Sequence, residues 1–236
     1  VFDGHALALV KSFIPYVPNF TGGVSVAAGD VDGDGRAEVI TGAGAGEYSR
    51  VKVFNGTTGT LLRFFFAFGQ LYRGGVKVSA GDVDGDGKAD IIAGSGLNMR
   101  STVKIFKGTN GALLSTIQPF AAGYTGGVTL GSGDVNGDGH ADIVVGTAAG
   151  MVGTVKIYSG ANNALLKSLN PYGTKYAGGV SVSAADLNGD LKADVVTGTM
   201  QGNTRPVVKA FSGANYSQID SFFAYSGLVG VSVAAR

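Results

Sequence analysis

The chain has 236 residues, carrying 18 Lys and Arg against 17 Asp and Glu for a net charge of +1, and it has no cysteine. The missing cysteines exclude a disulfide-stapled scaffold. Charged residues at only 15%, with nine tyrosines and thirteen phenylalanines, exclude a disordered tail. No run of about 18 apolar residues suggests a membrane-spanning helix, and Leu61 to Phe68 is far too short.

In chain order, Val1-Phe2-Asp3-Gly4 and Leu9 to Ile14 read as the third and fourth strands of a partial unit, because Phe2 stands 52 residues before Phe54. A full unit follows. Gly23-Val24-Ser25-Val26 starts a strand, an acidic loop spans 30–38, and Val39-Ile40-Thr41-Gly42 is a second apolar run. Val51-Lys52-Val53-Phe54 alternates as a third strand, and Leu61-Leu62 begins a fourth.

The same order recurs with first strands at Val76, Val128 and Val180 and third strands at Val103, Val155 and Val208. The fourth strands recur at Leu113, Leu165 and, more weakly, Ile219 to Phe223. Gly230 to Ala235 copies a first strand once more. β-branched and aromatic residues punctuated by glycine favour strands, and no helix of ten residues emerges.

Four strands in a repeat of about 50 residues mark a propeller blade, which must bury its faces against neighbours. The sequence therefore predicts an all-β, single-domain β-propeller of four-stranded blades over 1–236. Partial units at 1–22 and 230–236 combine into a fifth blade closed by both termini, protecting the edge strands. Five units of 52 would need 24 more residues than the chain has, and the shortfall corresponds to the loop and second strand of that fifth unit. Val1 is neither an initiator methionine nor part of a signal-peptide pattern, so the sequence reads as a processed form or a fragment of a larger protein.

The acidic loops carry the chemistry. They read Asp30-Val-Asp-Gly-Asp-Gly-Arg-Ala-Glu38, Asp82-Val-Asp-Gly-Asp-Gly-Lys-Ala-Asp90, Asp134-Val-Asn-Gly-Asp-Gly-His-Ala-Asp142 and Asp186-Leu-Asn-Gly-Asp-Leu-Lys-Ala-Asp194. Fourteen of the 17 acids lie here, leaving Asp3, Glu47 and Asp220 elsewhere. Carboxylates so close repel one another unless a cation gathers them. Calcium takes six to eight oxygen ligands. Side chains at loop positions 1, 3 and 5 can converge on one ion: Asp30, Asp32 and Asp34; Asp82, Asp84 and Asp86; Asp134, Asn136 and Asp138; Asp186, Asn188 and Asp190. The carbonyl of position 7 (Arg36, Lys88, His140, Lys192) and the acid of position 9 (Glu38, Asp90, Asp142, Asp194) complete each shell.

Up to four Ca²⁺ ions follow, with the four-carboxylate loops one and two binding more tightly than loops three and four. An EF-hand needs a bidentate Glu at position 12 and flanking helices. Position 12 is Thr41, Ala93, Val145 and Thr197, so that motif is excluded.

The segment from Gly22 to Gly44 followed by Val51-Lys52-Val53-Phe54-Asn55-Gly56 resembles the FG-GAP, or VCBS-like, repeats of integrin-type β-propellers. The resemblance covers essentially the whole chain. It implies a calcium-stabilised, secreted or cell-surface module for recognition, adhesion or scaffolding, with Asp30, Asp32, Asp34, Glu38 and their counterparts as ligands. Two departures stand out. Glycine replaces the phenylalanine of the FG pair at Gly22, Gly74, Gly126 and Gly178, and Leu191 stands where Gly35, Gly87 and Gly139 stand. If that second position requires a positive φ, leucine is strained there and weakens the fourth site.

Phe20, Tyr72, Tyr124 and Tyr176 recur before the glycine pair as candidate ligand residues: they either stack on sugar rings or wedge adjacent blades together. Lys52, Lys104, Lys156 and Lys209 recur on the third strands and read as solvent-facing partners, the alternative being a ring for anions. Four calcium ions would raise the net charge from +1 to +9, which either keeps the domain soluble or draws anionic polysaccharide.

No nucleophile constellation, phosphate loop or nucleic-acid motif appears, and His5 and His140 are far apart in sequence. The chain therefore reads as non-enzymatic, with a glycan or protein surface as partner. A calcium-dependent lectin is the alternative, and a polysaccharide-lyase propeller a more distant one.

Overall fold

The computed structural model describes residues 1, 9, 11–201, 205–227 and 230–234. The expected strand at Phe2-Asp3-Gly4, and His5, lie outside the described residues. Among the described residues sixteen strands form four antiparallel sheets, each paired in chain order. Blade one contains β1 (Val24–Gly29), β2 (Glu38–Ala43), β3 (Arg50–Phe54) and β4 (Leu61–Phe66). Blade two contains β5 (Val76–Gly81), β6 (Asp90–Ser95), β7 (Val103–Phe106) and β8 (Leu113–Ile117). Blade three contains β9 (Val128–Gly133), β10 (Asp142–Thr147), β11 (Val155–Tyr158) and β12 (Leu165–Leu169). Blade four contains β13 (Val180–Ala185), β14 (Asp194–Thr199), β15 (Val207–Phe211) and β16 (Gln218–Phe223).

Burial follows from this order. The second strands β6, β10 and β14 are buried along their whole length: β6 and β10 lie between two blades, and β14 lies between blade three and the C-terminal segment around Val231. Their sequences are accordingly apolar without alternation. Three core clusters fill the structure, the first joining Ile40 and Val51 of blade one to Val76 and Ile91 of blade two. The other two join blades two and three and blades three and four in the same manner. The inner strands β1, β5, β9 and β13 stand side by side in that order. Close approach needs a missing side chain: a Cβ on Gly42 would lie 2.6 Å from the Val76 carbonyl oxygen of the next blade.

The expectation of five blades is corrected to four, since no fifth sheet forms among the described residues. The third strand expected for that unit at Phe2-Asp3-Gly4 lies outside the described residues. The terminal segments nevertheless seat as blade fragments. Val231 N–H donates to the Thr199 carbonyl at 2.7 Å, and Val233 N–H donates to Ser181 Oγ at 2.8 Å. The latter copies the Val78 N–H to Ser25 Oγ bond, 3.0 Å, between blades one and two. Pro15 and Tyr16 sit against blade one as Pro119 and Phe120 sit against blade three: Lys52 Nζ donates to the Pro15 carbonyl at 2.5 Å, and Lys156 Nζ to that of Pro119 at 2.7 Å.

Strand alternation gives the molecule two rims. The acidic loops and the turns between third and fourth strands share one. The loops between second and third strands, with the blade-to-blade connections, share the other.

Candidate metal centre

Each acidic loop links the first strand of a blade to its second, and its backbone is wound around the leading aspartate. Asp30 Oδ1 accepts the Gly33 N–H at 2.7 Å and its Oδ2 the Gly35 N–H at 2.8 Å. Asp82, Asp134 and Asp186 repeat both bonds within 2.7–2.9 Å. Burial pushes the Asp30 carboxyl upward, but the amides of Gly35 and Gly33 outweigh it and hold the group below the usual carboxylate range. The same holds for Asp186, with the Leu191 amide in the place of Gly35.

The second bond requires position 6 to turn left-handed. Gly35, Gly87 and Gly139 have φ of 85°, 81° and 87°, and Leu191 adopts 67°. The leucine keeps the loop shape at a steric cost, with its side chain 88% exposed.

The acids at position 9 begin the second strands and are buried: Glu38, Asp142 and Asp194 are 0% exposed and Asp90 is 1%. No lysine or arginine within ion-pair distance neutralises any of them among the described residues. Burial raises Glu38 and Asp90 above the usual carboxylate range and pushes Asp142 up to about 6. In three blades the inner oxygen has a partner, because Asp90, Asp142 and Asp194 Oδ1 accept the amides of Gly108, Gly160 and Gly213, each at 3.0 Å. In blade one Glu38 Oε2 accepts the Val31 N–H at 3.1 Å while Oε1 is buried without a partner. An unpaired buried carboxylate oxygen costs several kcal/mol on the order of magnitude. A bound cation would supply what it lacks.

Carboxylate oxygens of Asp30, Asp32 and Glu38 lie within 4.8 Å of one another, and so do those of Asp82, Asp84 and Asp86. These two groups fit a hard cation. Asp34 turns its Oδ1 to the Arg36 N–H at 2.8 Å instead. Among the described residues loops three and four gather no such trio, because Asn136 and Asn188 stand in place of the second acid. There Asn136 Nδ2 donates to Asp138 at 2.9 Å and Asn188 Nδ2 to Asp194 at 3.3 Å. In loop two Lys107 Nζ bridges Asp84 and Asp86 at 2.7 and 3.0 Å, and its hydrogen bond holds Asp86 below the usual range. Lys107 and the glycine donors lie outside the loop positions that the sequence marks as ligands. The recurrence of Gly56, Gly108, Gly160 and Gly213 after every third strand was the available signal.

The position-7 residues lean sideways over the preceding loop. Lys88 Nζ donates to the Asp32 carbonyl at 2.8 Å, and His140 Nδ1–H donates to that of Val83 at 2.9 Å.

The opposite rim holds the recurring aromatics. Tyr124 and Tyr176 are buried, while Phe20 and Tyr72 are half-buried. Tyr124 O–H donates to the Gly127 and Ala148 carbonyls at 2.8 and 2.9 Å, and Tyr176 O–H to those of Gly179 and Gln201 at 2.8 Å each. Tyr72 O–H reaches the Leu97 carbonyl at 3.0 Å. This ring explains the missing phenylalanine of the FG pair. A Cβ on Gly74 would lie 1.9 Å from the Leu97 oxygen and 2.6 Å from Tyr72 Cζ, so the aromatic two residues earlier occupies that space.

Each ring meets a second aromatic four residues before it. The edge-on pairs are Tyr16–Phe20, Phe68–Tyr72, Phe120–Tyr124 and Tyr172–Tyr176, with centroids 5.7, 5.6, 5.7 and 5.4 Å apart. Lys52, Lys104, Lys156 and Lys209 lie over the first ring of each pair, 5.1–5.7 Å from its centre. The solvent-facing expectation for these lysines is thereby corrected: each is half-buried and caps an aromatic pair.

Four-stranded blades, each with an acidic loop between its first two strands, define a repeat propeller with candidate cation loops. Residues 82–145 and 134–197 match the model of the FG-GAP-like repeat, and residues 22–56 match that of the FG-GAP repeat. The chain belongs to the FG-GAP family of integrin-type repeats.

It is 31% identical to integrin alpha-8 of Gallus gallus over 162 residues, 61% of this chain and 16% of that protein. Against integrin alpha-4 of Xenopus laevis it is 28% identical over 217 residues, 79% of this chain and 21% of that protein. The chain thus spans about a sixth to a fifth of the curated relatives it matches. The rhamnogalacturonan lyase YesW superposes with a TM-score of 0.57 at 17% identity, over 84% of this chain and 42% of that one. The Bacillus licheniformis rhamnogalacturonan lyase PL11 gives 0.54 at 17% identity, over 85% and 50%. At such identity the likeness is one of fold.

Proposed function

We propose that the chain is a non-enzymatic, calcium-binding β-propeller module that serves extracellular adhesion, recognition or scaffolding. The observation that carries this is Glu38: a fully buried carboxylate whose Oε1 has no partner, gathered with Asp30 and Asp32 at the base of a loop. The ligands are the twenty residues of positions 1, 3, 5, 7 and 9, with position 7 acting through its carbonyl. Oxygen-only donors, and loops built by backbone amides rather than by rigid octahedral geometry, favour calcium over magnesium. When bound, the ion neutralises the carboxylates and joins the two strands that each loop connects.

Resemblance to integrin alpha chains supports a recognition role at the cell surface or in secretion, within a larger protein. Calorimetric titration of the chelated chain tests the metal. It should show up to four calcium ions bound, and Glu38→Gln should remove one. Heatless titration up to millimolar calcium, with no shift in melting, would overturn the proposal.

A calcium-dependent lectin has one observation in its favour. Tyr172, Tyr176, Lys175 and Lys209 line a cavity of about 820 Å³ between blades three and four. Against it, the Tyr124 and Tyr176 hydroxyls are spent on backbone carbonyls. A glycan array with and without calcium separates the two, and release of product from an anionic polysaccharide would speak for a lyase.

A further inference from the structure

Successive loops are bonded to one another through their ligating segments. Ala89 N–H, at position 8 of loop two, donates to the carbonyl of Asp30 at 2.8 Å. Ala141 N–H donates to the Asp82 carbonyl and Ala193 N–H to the Asp134 carbonyl, both at 2.7 Å. Position 8 lies between the carbonyl of position 7 and the acid of position 9, while the acceptor belongs to the position-1 aspartate of the preceding loop. One peptide bond therefore ties two ligands of each loop to the leading ligand of its neighbour.

A second link runs beside the first. Lys88 Nζ and His140 Nδ1–H hold the Asp32 and Val83 carbonyls of the preceding loop. The position-4 glycine makes room for them: a Cβ on Gly33 would meet Lys88 Cε at 2.9 Å, one on Gly85 His140 Cε1 at 2.6 Å, and one on Gly137 Lys192 Cε at 2.9 Å.

We infer that the four loops bind calcium as a coupled series, in which ordering one loop strengthens calcium binding at its immediate neighbours and not beyond. The inference rests on the calcium proposal above. A metal-free loop holds three or four carboxylates between its tip and its buried base, and their mutual repulsion works against its closed shape. Closing it fixes the Ala N–H that anchors the previous loop and the Asp carbonyl that anchors the next. A neighbour that is already closed has less ordering left to supply, which is positive coupling of the nearest-neighbour kind seen in repeat proteins. Among the described residues loops two and three have a partner on each side, and loops one and four have one each. Coupling thus opposes the simple ranking by carboxylate count, because loop three gains from both sides.

The test uses the full chain titrated with calcium, following amide hydrogen exchange in peptides covering 30–38, 82–90, 134–142 and 186–194 separately. In the double variant Asp84→Asn with Asp86→Asn, loop two should lose its response. The calcium midpoints of loops one and three should rise by at least about fivefold, and that of loop four should stay where it was. Unchanged midpoints in loops one and three would overturn the coupling while leaving the calcium proposal intact. If no loop of the unaltered chain responds to calcium, the calcium proposal itself falls.

Should the double variant not fold by circular dichroism, His140→Leu keeps the position-7 carbonyl and removes only the side-chain link to loop two. It should then raise the loop-two midpoint by roughly two- to tenfold and leave loop one unmoved. No change in loop two would again contradict the coupling.

Discussion

The two rims of the molecule join the same blades by different means. On one, backbone amides and buried carboxylates form loops whose position-9 acids no lysine or arginine pairs among the described residues. On the other, edge-on aromatic pairs capped by lysine close each junction with partners the chain itself supplies. One rim is thus complete from sequence alone, and on the proposal above the other is completed by an ion. The difference teaches how a blade of small, glycine-rich strands becomes a firm unit: the aromatic rim seats it, and under the calcium proposal the loop rim makes its stability conditional on metal.

Chelation should have the largest effect. At one hundred times Kd each bound ion adds roughly 2.7 kcal/mol, and each kcal/mol moves Tm by about 2–4 °C at this length. Excess EDTA should therefore lower the melting temperature by roughly 20–40 °C if all four loops are filled. Identical melting curves would remove the contrast between the rims.

Next in size is Tyr124→Ala, which deletes a buried ring and two hydroxyl bonds. Urea unfolding should show a loss of about 3 kcal/mol, equal in calcium and in EDTA, because this rim has no stake in metal. A loss confined to one condition would blur the two rims.

The buried position-9 acids give a pH signature. With its carboxyl raised to about 6 by burial, Asp142 binds its proton more tightly folded than unfolded. The contribution of Asp142 to the stability of the metal-free protein should accordingly fall as pH rises from the ordinary carboxylate pKa near 4 through 6, by on the order of 2 kcal/mol, and is read as the difference between the chain and its Asp142→Asn variant. With calcium the sign reverses, since the ion needs the deprotonated acid. Melting curves at pH 4.5 and 7, with and without calcium, read both slopes, and parallel slopes would refute the assignment.

The smallest effect belongs to Leu191. Replacing it by glycine at φ 67° relieves left-handed strain and should stabilise the protein by about 1 kcal/mol. Leu191→Ala, which keeps the Cβ, should change little. Equal melting of all three would mean that the leucine is not strained.

Much of this was legible in the sequence. The 52-residue period, the four strands per unit and the acidic loops are local patterns, and local patterns survive in a string of letters. The strain at Leu191 was equally readable, because three glycines mark the left-handed position. The lysines misled because alternation alone makes Lys52 look outward. The Tyr16 ring beneath it comes from the blade-to-blade connection, more than thirty residues away in the chain. Its signal was present in the recurrence of Tyr16, Phe68, Phe120 and Tyr172 four residues before the second aromatic. The bond from Ala89 to Asp30 was not legible at all, since it depends on how two blades lie side by side. The fifth blade was over-read from strand copies at the termini that lack the segment needed to pair them.

The contrast between the rims is tested most directly by amide hydrogen exchange of the intact chain in calcium and in EDTA. Protection at Gly35, Gly87, Ala89, Gly139 and Ala141 should collapse on chelation, while amides beside Tyr124 and Tyr176 keep theirs. Equal protection of the loop amides in both conditions, or loss spread evenly over both rims, would contradict the account.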